Sequence, residues 1–277
     1  MVSIDAGVER GHASVGELRI AYESAGRGAP AVMLIHGAFA DRTYFAPQMT
    51  HLARRRRVIA LDLRGHGESD ASQKVSVEDF AANVIAVAGE AGVESVVLCG
   101  HSVVGGAVAL AVASARPNLV GGIVLLDAIL FQEPLRRQRL EGLLPALETD
   151  HWLDALRGYI ERTLDPKDPP ELTARVRADL GRTRPEIARS FFTFFASDSS
   201  DLSDAIKDLH CPLLYVRAKA PTDLQRLLEL YPDAMIGQVV GSGHFLMLSV
   251  PDQVNAMLDR FLEIVAAPIQ PEVHRRS

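Results

Sequence analysis

A serine sits between a histidine and two valines in VVLCGHSVVGGAVAL, residues 96–110, where a β-branched apolar run breaks at Gly100 and resumes as a small-residue helical pattern. A hydroxyl in that place can act as a nucleophile if the strand-to-helix turn exposes it and a base removes its proton. The competing reading is a polar residue in an ordinary strand-to-helix loop. A sharp turn that brings strand and helix close demands small neighbours. Gly100 meets the demand two positions before Ser102, but Val104 stands two positions after it, and Gly105 and Gly106 come only beyond. The spacing predicts an altered turn, with one added residue in the first helical turn.

The elements around this turn follow from hydrophobic periodicity. ELRIAYES, AVMLIH, RVIALD, SVVLCG, GGIVLLDA, CPLLYV and AMIGQVV read as strands. Several are apolar throughout, as strands covered on both faces are. Helical patterns cover Tyr44 to Leu52, the stretch VSVEDFAANVIAVAGEAG with Gly92 as its stop, and Val104 to Ala115. The alternation predicts an α/β fold, a mostly parallel central sheet of about eight strands with helices on both faces. From Phe131 to about Asp204 the pattern is helical alone, so a helical cap inserted after the sixth strand is expected. Residues 131–204 would form the cap, and 1–130 with 205–277 the core. A helix over Asp223 to Leu230 and a closing helix over Pro251 to Val265 complete the core, and the tail APIQPEVHRRS is expected to be disordered.

Composition narrows the classes of function. A chain of 277 residues with 48% hydrophobic residues can bury a large core. Its net charge of −6, with both signs interspersed, gives no nucleic-acid surface. The one basic run, Arg54 to Arg57, reads as a solvated helix end. Two distant cysteines, Cys99 and Cys211, make neither a disulfide framework nor a zinc spacing and read as buried core residues of a reducing compartment. The opening residues lack the apolar stretch of a signal peptide, and no run is long enough to span a membrane. A cytoplasmic protein with a small-molecule substrate and no membrane or nucleic-acid partner is expected. Edge strands and cap helices leave homo-oligomerisation open.

Four segments in order resemble the α/β-hydrolase superfamily: HGAFAD after AVMLI, LDLRGHGESD after the next strand, GHS at the turn, and GSGHFLMLSVPDQV near the end. The likeness runs from about Leu18 to Leu262, with the helical block in the place of that family's cap. It implies a serine-nucleophile, esterase-like enzyme without metal or organic cofactor. Ser102 would attack an acyl carbon, and His244, in the small-residue loop GSGHF, would take its proton. By the same resemblance, the main-chain N–H groups of Ala38 and Val103 would form the oxyanion hole, with Phe39 as an alternative donor. His36, His66 and His101 read as structural.

The triad acid departs from the usual pattern. Most of the superfamily places it after the strand matching CPLLYV, where this chain has Arg217, Ala218, Lys219, Ala220 and Pro221 and no acid before Asp223. A subset of haloalkane dehalogenases carries the acid one strand earlier, a position matched by Asp127 at the end of GGIVLLDA. Asp127 is the expected acid, with Asp223 as the alternative and loop capping as another use for Asp127.

Aromatic residues crowd the helical block. Phe191, Phe192, Phe194, Phe195, Trp152 and Tyr159 are expected to form mostly the cap's own core. Phe39, Phe131, Phe245 and Met247 are expected to meet substrate, which would be a medium-sized, mostly apolar ester or lactone cleaved through an acyl enzyme. Arg217 and Lys219 read as solvent-facing, with an anionic group of the substrate as the other reading. The same triad also serves C–C bond hydrolysis, peroxyacid formation or cofactor-free oxygen chemistry, and a slow-turnover ligand receptor is the alternative from another class.

Overall fold

The computed structural model describes residues 7–72, 76–131, 133–197 and 200–266, and the tail expected to be disordered lies outside them. The strands are β1 (Glu9–Val15), β2 (Leu18–Ala25), β3 (Ala31–Ile35), β4 (Val58–Leu61), β5 (Val96–His101), β6 (Val120–Leu126), β7 (Leu213–Arg217) and β8 (Met235–Gln238). They form one eight-stranded sheet in the order β1-β2-β4-β3-β5-β6-β7-β8. β2 runs antiparallel to β1 and to β4, and every other neighbouring pair is parallel.

The helices are α1 (Ala46–Leu52), α2 (Val77–Glu90), α3 (Ser102–Ala115), α4 (Pro134–Glu141), α5 (Leu144–Leu147), α6 (Trp152–Glu161), α7 (Pro170–Leu180), α8 (Pro185–Ala196), α9 (Ser203–Lys207), α10 (Leu224–Leu230), α11 (Leu246–Ser249) and α12 (Pro251–Ala266). β3, β4 and β5 are buried at every position, so both faces of the sheet must be covered. α2 packs on α3 and α1 on α12, and α3 and α12 both reach β6. α2 starts at a capping box, in which the Ser76 hydroxyl accepts from the Asp79 N–H and the Asp79 carboxylate accepts from the Ser76 N–H.

β1 is the strand that periodicity misses. ERGHASV is largely exposed, so no alternation of apolar residues marks it. It is held by pairing with β2 through the tight turn between Val15 and Leu18, where Gly16 takes a φ of 60°. Cys99 is buried as expected, whereas Cys211 is only partly so.

Between β6 and β7 the described chain contains helices and turns but no strand, and α9 runs past the boundary expected at Asp204. Within this insertion α4 packs on α8, and α6 on α7 and α8. Phe192 and Phe195 are fully buried there. The chain passes from β3 to β4 on one side and to β5 on the other. The carboxyl ends of β3 and β5 therefore flank the point where strand order reverses, where open α/β sheets gather reacting groups.

Candidate active site

Among the described residues, three other than glycine have positive φ: Phe39 at 62°, Ser102 at 65° and Asp127 at 47°. They follow the carboxyl ends of β3, β5 and β6, and all three line one cavity of about 790 Å³. A side-chain-bearing residue held in this region costs about 1–3 kcal/mol, so the surrounding structure must enforce it. At Ser102 glycines do so. A side chain at Gly100 would strike the carbonyl of Gly105, and one at Gly105 would come 2.6 Å from the carbonyl oxygen of Ile35. Gly105 thus makes the close approach to the strands, and Val104 is buried beside it. α3 runs unbroken from Ser102 to Ala115. Across the turn, a side chain at Gly37 would lie 2.8 Å from Ser102 Cβ.

Asp127 and His244 meet directly, with His244 Nδ1 2.8 Å from Asp127 Oδ2. The other oxygen of this fully buried carboxylate accepts from the backbone N–H groups of Ala218 at 2.6 Å, Lys219 at 2.9 Å and Ala220 at 2.9 Å. The turn that lacks an acid therefore supplies donors to the acid one strand earlier. Burial pushes the Asp127 carboxyl up, but the hydrogen bond and charge of His244, with the Ala220 and Ala218 N–H groups, outweigh it and hold the carboxyl below its ordinary value. An ionised carboxylate only accepts, so Nδ1 carries the hydrogen, and in the neutral ring the lone pair is on Nε2. Asp223 is exposed and instead caps α10, its carboxylate accepting from the Arg226 N–H at 3.0 Å.

Ser102 and His244 border the same cavity, as do Ala38 and Val103. Among the described residues no direct hydrogen bond joins the serine hydroxyl to the ring; such contacts in unliganded sites often tighten only when substrate binds. The N–H groups of Ala38 and Val103 have no protein acceptor among the described residues, that of Val103 because it lies in the first turn of α3.

The other histidines near the site are held neutral by burial. His36 Nδ1 donates to the Gly37 carbonyl at 2.7 Å and its Nε2 accepts from the Leu63 N–H at 3.0 Å, tying the loop after β3 to the loop after β4. Burial pulls its pKa down to about 4. His66 packs against it with ring centroids 5.0 Å apart and is pulled down to about 3, chiefly by burial. His101 lines the cavity and donates from Nε2 to the carbonyl of His244 at 3.0 Å. Burial, then the charge of His244, brings it to about 3.

The insertion grips the histidine loop. The His244 N–H donates to the Thr163 carbonyl at 3.0 Å. Buried Asp168 accepts from the Gly243 N–H at 2.9 Å and the Ser249 hydroxyl at 2.8 Å through one oxygen, and from the Asp165 N–H at 2.8 Å through the other. A side chain at Gly243 would come 2.5 Å from that carboxylate. Sequence reasoning missed Asp168, because DPKDPP reads as a plain turn and its partners lie far along the chain.

Of the expected substrate-facing residues, Met247 is fully buried outside the cavity's lining, and Phe39 and Phe245 line the cavity. Phe131 does not. It is buried away from the cavity with the Arg226 guanidinium 4.5 Å from its ring centroid, where packing and a cation–π contact take up its faces. Phe191, Phe195 and Tyr159 of the insertion also reach the cavity, and Phe191 meets Phe39 edge-on at 5.0 Å. Sequence reasoning passed over Arg139 and Arg162, and it read Lys219 as solvent-facing with an anionic group of the substrate as the other reading; all three are exposed and border the cavity.

The sheet order, the turn at Ser102 and the cavity define an α/β hydrolase, and the sequence agrees: the chain belongs to the alpha/beta hydrolase family, whose model matches residues 32–257. It is 27% identical over 249 residues to the dihydrolipoyllysine-residue acetyltransferase component of the acetoin cleaving system of Pseudomonas putida, covering 87% of this chain and spanning 65% of that protein. It is 24% identical over 249 residues to the (E)-2-((N-methylformamido)methylene)succinate hydrolase of Acinetobacter baylyi, covering 87% of this chain and 93% of that one. Among solved structures, a thermophilic esterase from Thermogutta terrifontis superposes with a TM-score of 0.80 at 23% identity, over 94% of this chain and 100% of that one, a likeness of fold. No helix among the described residues is long and apolar enough to cross a membrane.

Proposed function

We propose that the chain is a serine hydrolase that cleaves a carboxylic ester or lactone through an acyl enzyme, with residues 134–207 acting as a cap over the site. The observation that carries this reading is the Asp127–His244 pair, whose free imidazole nitrogen belongs to the cavity that also holds Ser102 on a strained turn. Ser102 Oγ attacks the acyl carbon as His244 Nε2 takes its proton, and the resulting oxyanion accepts hydrogen bonds from the Ala38 and Val103 N–H groups. The tetrahedral intermediate expels the alcohol, which leaves with the proton held on Nε2. Water, deprotonated by the same nitrogen, then attacks the acyl enzyme, and the acid departs as Ser102 regains its proton. Asp127 keeps the ring in its useful tautomer and stabilises the imidazolium. Phe39, Phe191, Phe195 and Phe245 give the substrate's body an apolar wall. The hydrolase and esterase names of the relatives support the same class of reaction.

A panel of p-nitrophenyl esters of increasing chain length tests this. Hydrolysis is expected, and Ser102→Ala should lower it by at least about 10⁴-fold. Equal turnover in that variant rejects the reading.

A further inference from the structure

The cavity wall is apolar where it is buried and cationic where it meets solvent. Leu140, Ile160, Phe195 and Phe245 are buried, whereas Arg139, Arg162 and Lys219 are exposed. These three come from different elements: Arg139 from α4, Arg162 from the end of α6 and Lys219 from the turn after β7. Against them the exposed lining sets a single carboxylate, Glu133, in a chain that is acidic as a whole.

Six of the insertion's arginines are paired. Arg137, Arg157, Arg175, Arg177, Arg182 and Arg189 each meet a carboxylate. Among the described residues, Arg139, Arg162 and Arg184 meet none, and Arg184 lines a different cavity. Arg162 only overlies the Tyr159 ring, 5.7 Å from its centroid, and the Lys219 ammonium donates to the Leu164 carbonyl at 2.5 Å. Guanidinium groups left without carboxylates beside an apolar cavity present unused donors to whatever enters it. A carboxylate is the anion that a guanidinium holds with two parallel hydrogen bonds.

We propose that Arg139, Arg162 and Lys219 form a recognition site for a carboxylate carried by the ester, at an end remote from the carbonyl that Ser102 attacks. This inference rests on the serine-hydrolase reading and narrows its substrate class. The substrate has an apolar body and one acidic terminus. The phenylalanines cover the body, and the cations draw the terminus to the cavity's exposed side. Attraction across exposed charges is long-ranged at low salt and screened within about 10 Å at 0.1 M.

The test compares p-nitrophenyl octanoate with the mono-p-nitrophenyl ester of suberic acid, which differs in carrying a terminal carboxylate. The ratio of their kcat/KM values is measured at low and high salt in the wild type and in the double variant Arg139→Gln with Arg162→Gln. A ratio of at least about tenfold in favour of the suberate is expected, arising in KM, shrinking several-fold at high salt and in the double variant. The neutral ester cleaved at least as well as the suberate overturns the inference and leaves the hydrolase standing. A suberate preference that survives undiminished both in the double variant and after Lys219→Gln is added to it also overturns it, by placing the anion on other side chains. If neither ester is cleaved and Ser102 reacts with no fluorophosphonate, the hydrolase reading falls and takes this inference with it.

Discussion

At the carboxyl ends of β3, β5 and β6 the backbone itself is the instrument. Phe39, Ser102 and Asp127 are held at positive φ, glycines at 37, 100 and 105 permit contacts that no side chain would, and Asp127 is gripped by three N–H groups. In the helical insertion, by contrast, the groups that reach the cavity are long or aromatic side chains projecting from ordinary helices and turns, such as Arg139, Arg162 and Phe191. The sheet edge fixes atoms to within a hydrogen bond, while the insertion lines a volume. On the proposed reading, the first region carries the chemistry and the second chooses the substrate. Damage to the sheet edge should therefore fall on kcat, and neutralising the insertion's charges on KM.

The largest effect among the supporting groups is expected at Asp127. Asp127→Asn should lower kcat by about 10²–10⁴-fold with little change in KM, because the amide favours the wrong imidazole tautomer. Steady-state kinetics on a p-nitrophenyl ester measure this. A loss seen only in KM would erase the distinction between the two regions.

Acid should act on the groups at the carboxyl ends of the strands. His36, His66 and His101 have native pKa values near 4, 3 and 3, depressed from 6.5. The unfolded chain therefore binds protons that the native chain refuses, and stability falls as pH drops from about 6.5 toward 4. Each ring contributes a slope approaching ~1.4 kcal/mol per pH unit. The Asp127 carboxyl is depressed too, so its stabilisation is complete above the ordinary carboxylate value and is lost as pH falls through the native value. Urea midpoints between pH 7 and pH 4.5 should decline steadily. A flat profile would mean that the native rings take up protons as readily as those of the unfolded chain.

Asp168 is where the two regions touch. Asp168→Ala removes the acceptor for Gly243 and Ser249 beside His244, and kcat should fall by about tenfold while the pH dependence of kcat/KM keeps its shape. Restored activity in Asp168→Asn, which keeps an acceptor oxygen, would show positioning rather than charge at work. The smallest effect belongs to Asp223→Asn. It should leave ester turnover unchanged and cost well under 1 kcal/mol, because asparagine caps a helix about as well as aspartate.

Much of the sheet edge was legible in the sequence. β3, β4 and β5 announce themselves as continuous apolar runs, and Ser102 and His244 stand in small-residue loops at strand ends. Asp127 could be reached because its strand is unmistakable and the later position is empty of acid. β1 was not legible, since an edge strand exposed along most of its length has no periodic signature. Nor were the insertion's contributions. Asp168 bonds Gly243 across 75 residues, and nothing local tells which of many arginines on a helical block will face a cavity. Phe131 was misplaced for the same reason: an aromatic residue at the entrance of the block packs as readily under Arg226 as against a substrate. Backbone-determined features leave local signatures such as glycines and small residues, and side-chain convergence from distant helices leaves none.

The most direct measurement is the intact mass of the folded protein after brief exposure to a fluorophosphonate. One adduct per chain is expected, mapped to Ser102, absent in Ser102→Ala and much slower to form in Asp127→Asn. A folded protein that stays unlabelled, or an adduct on any other residue, would contradict the account.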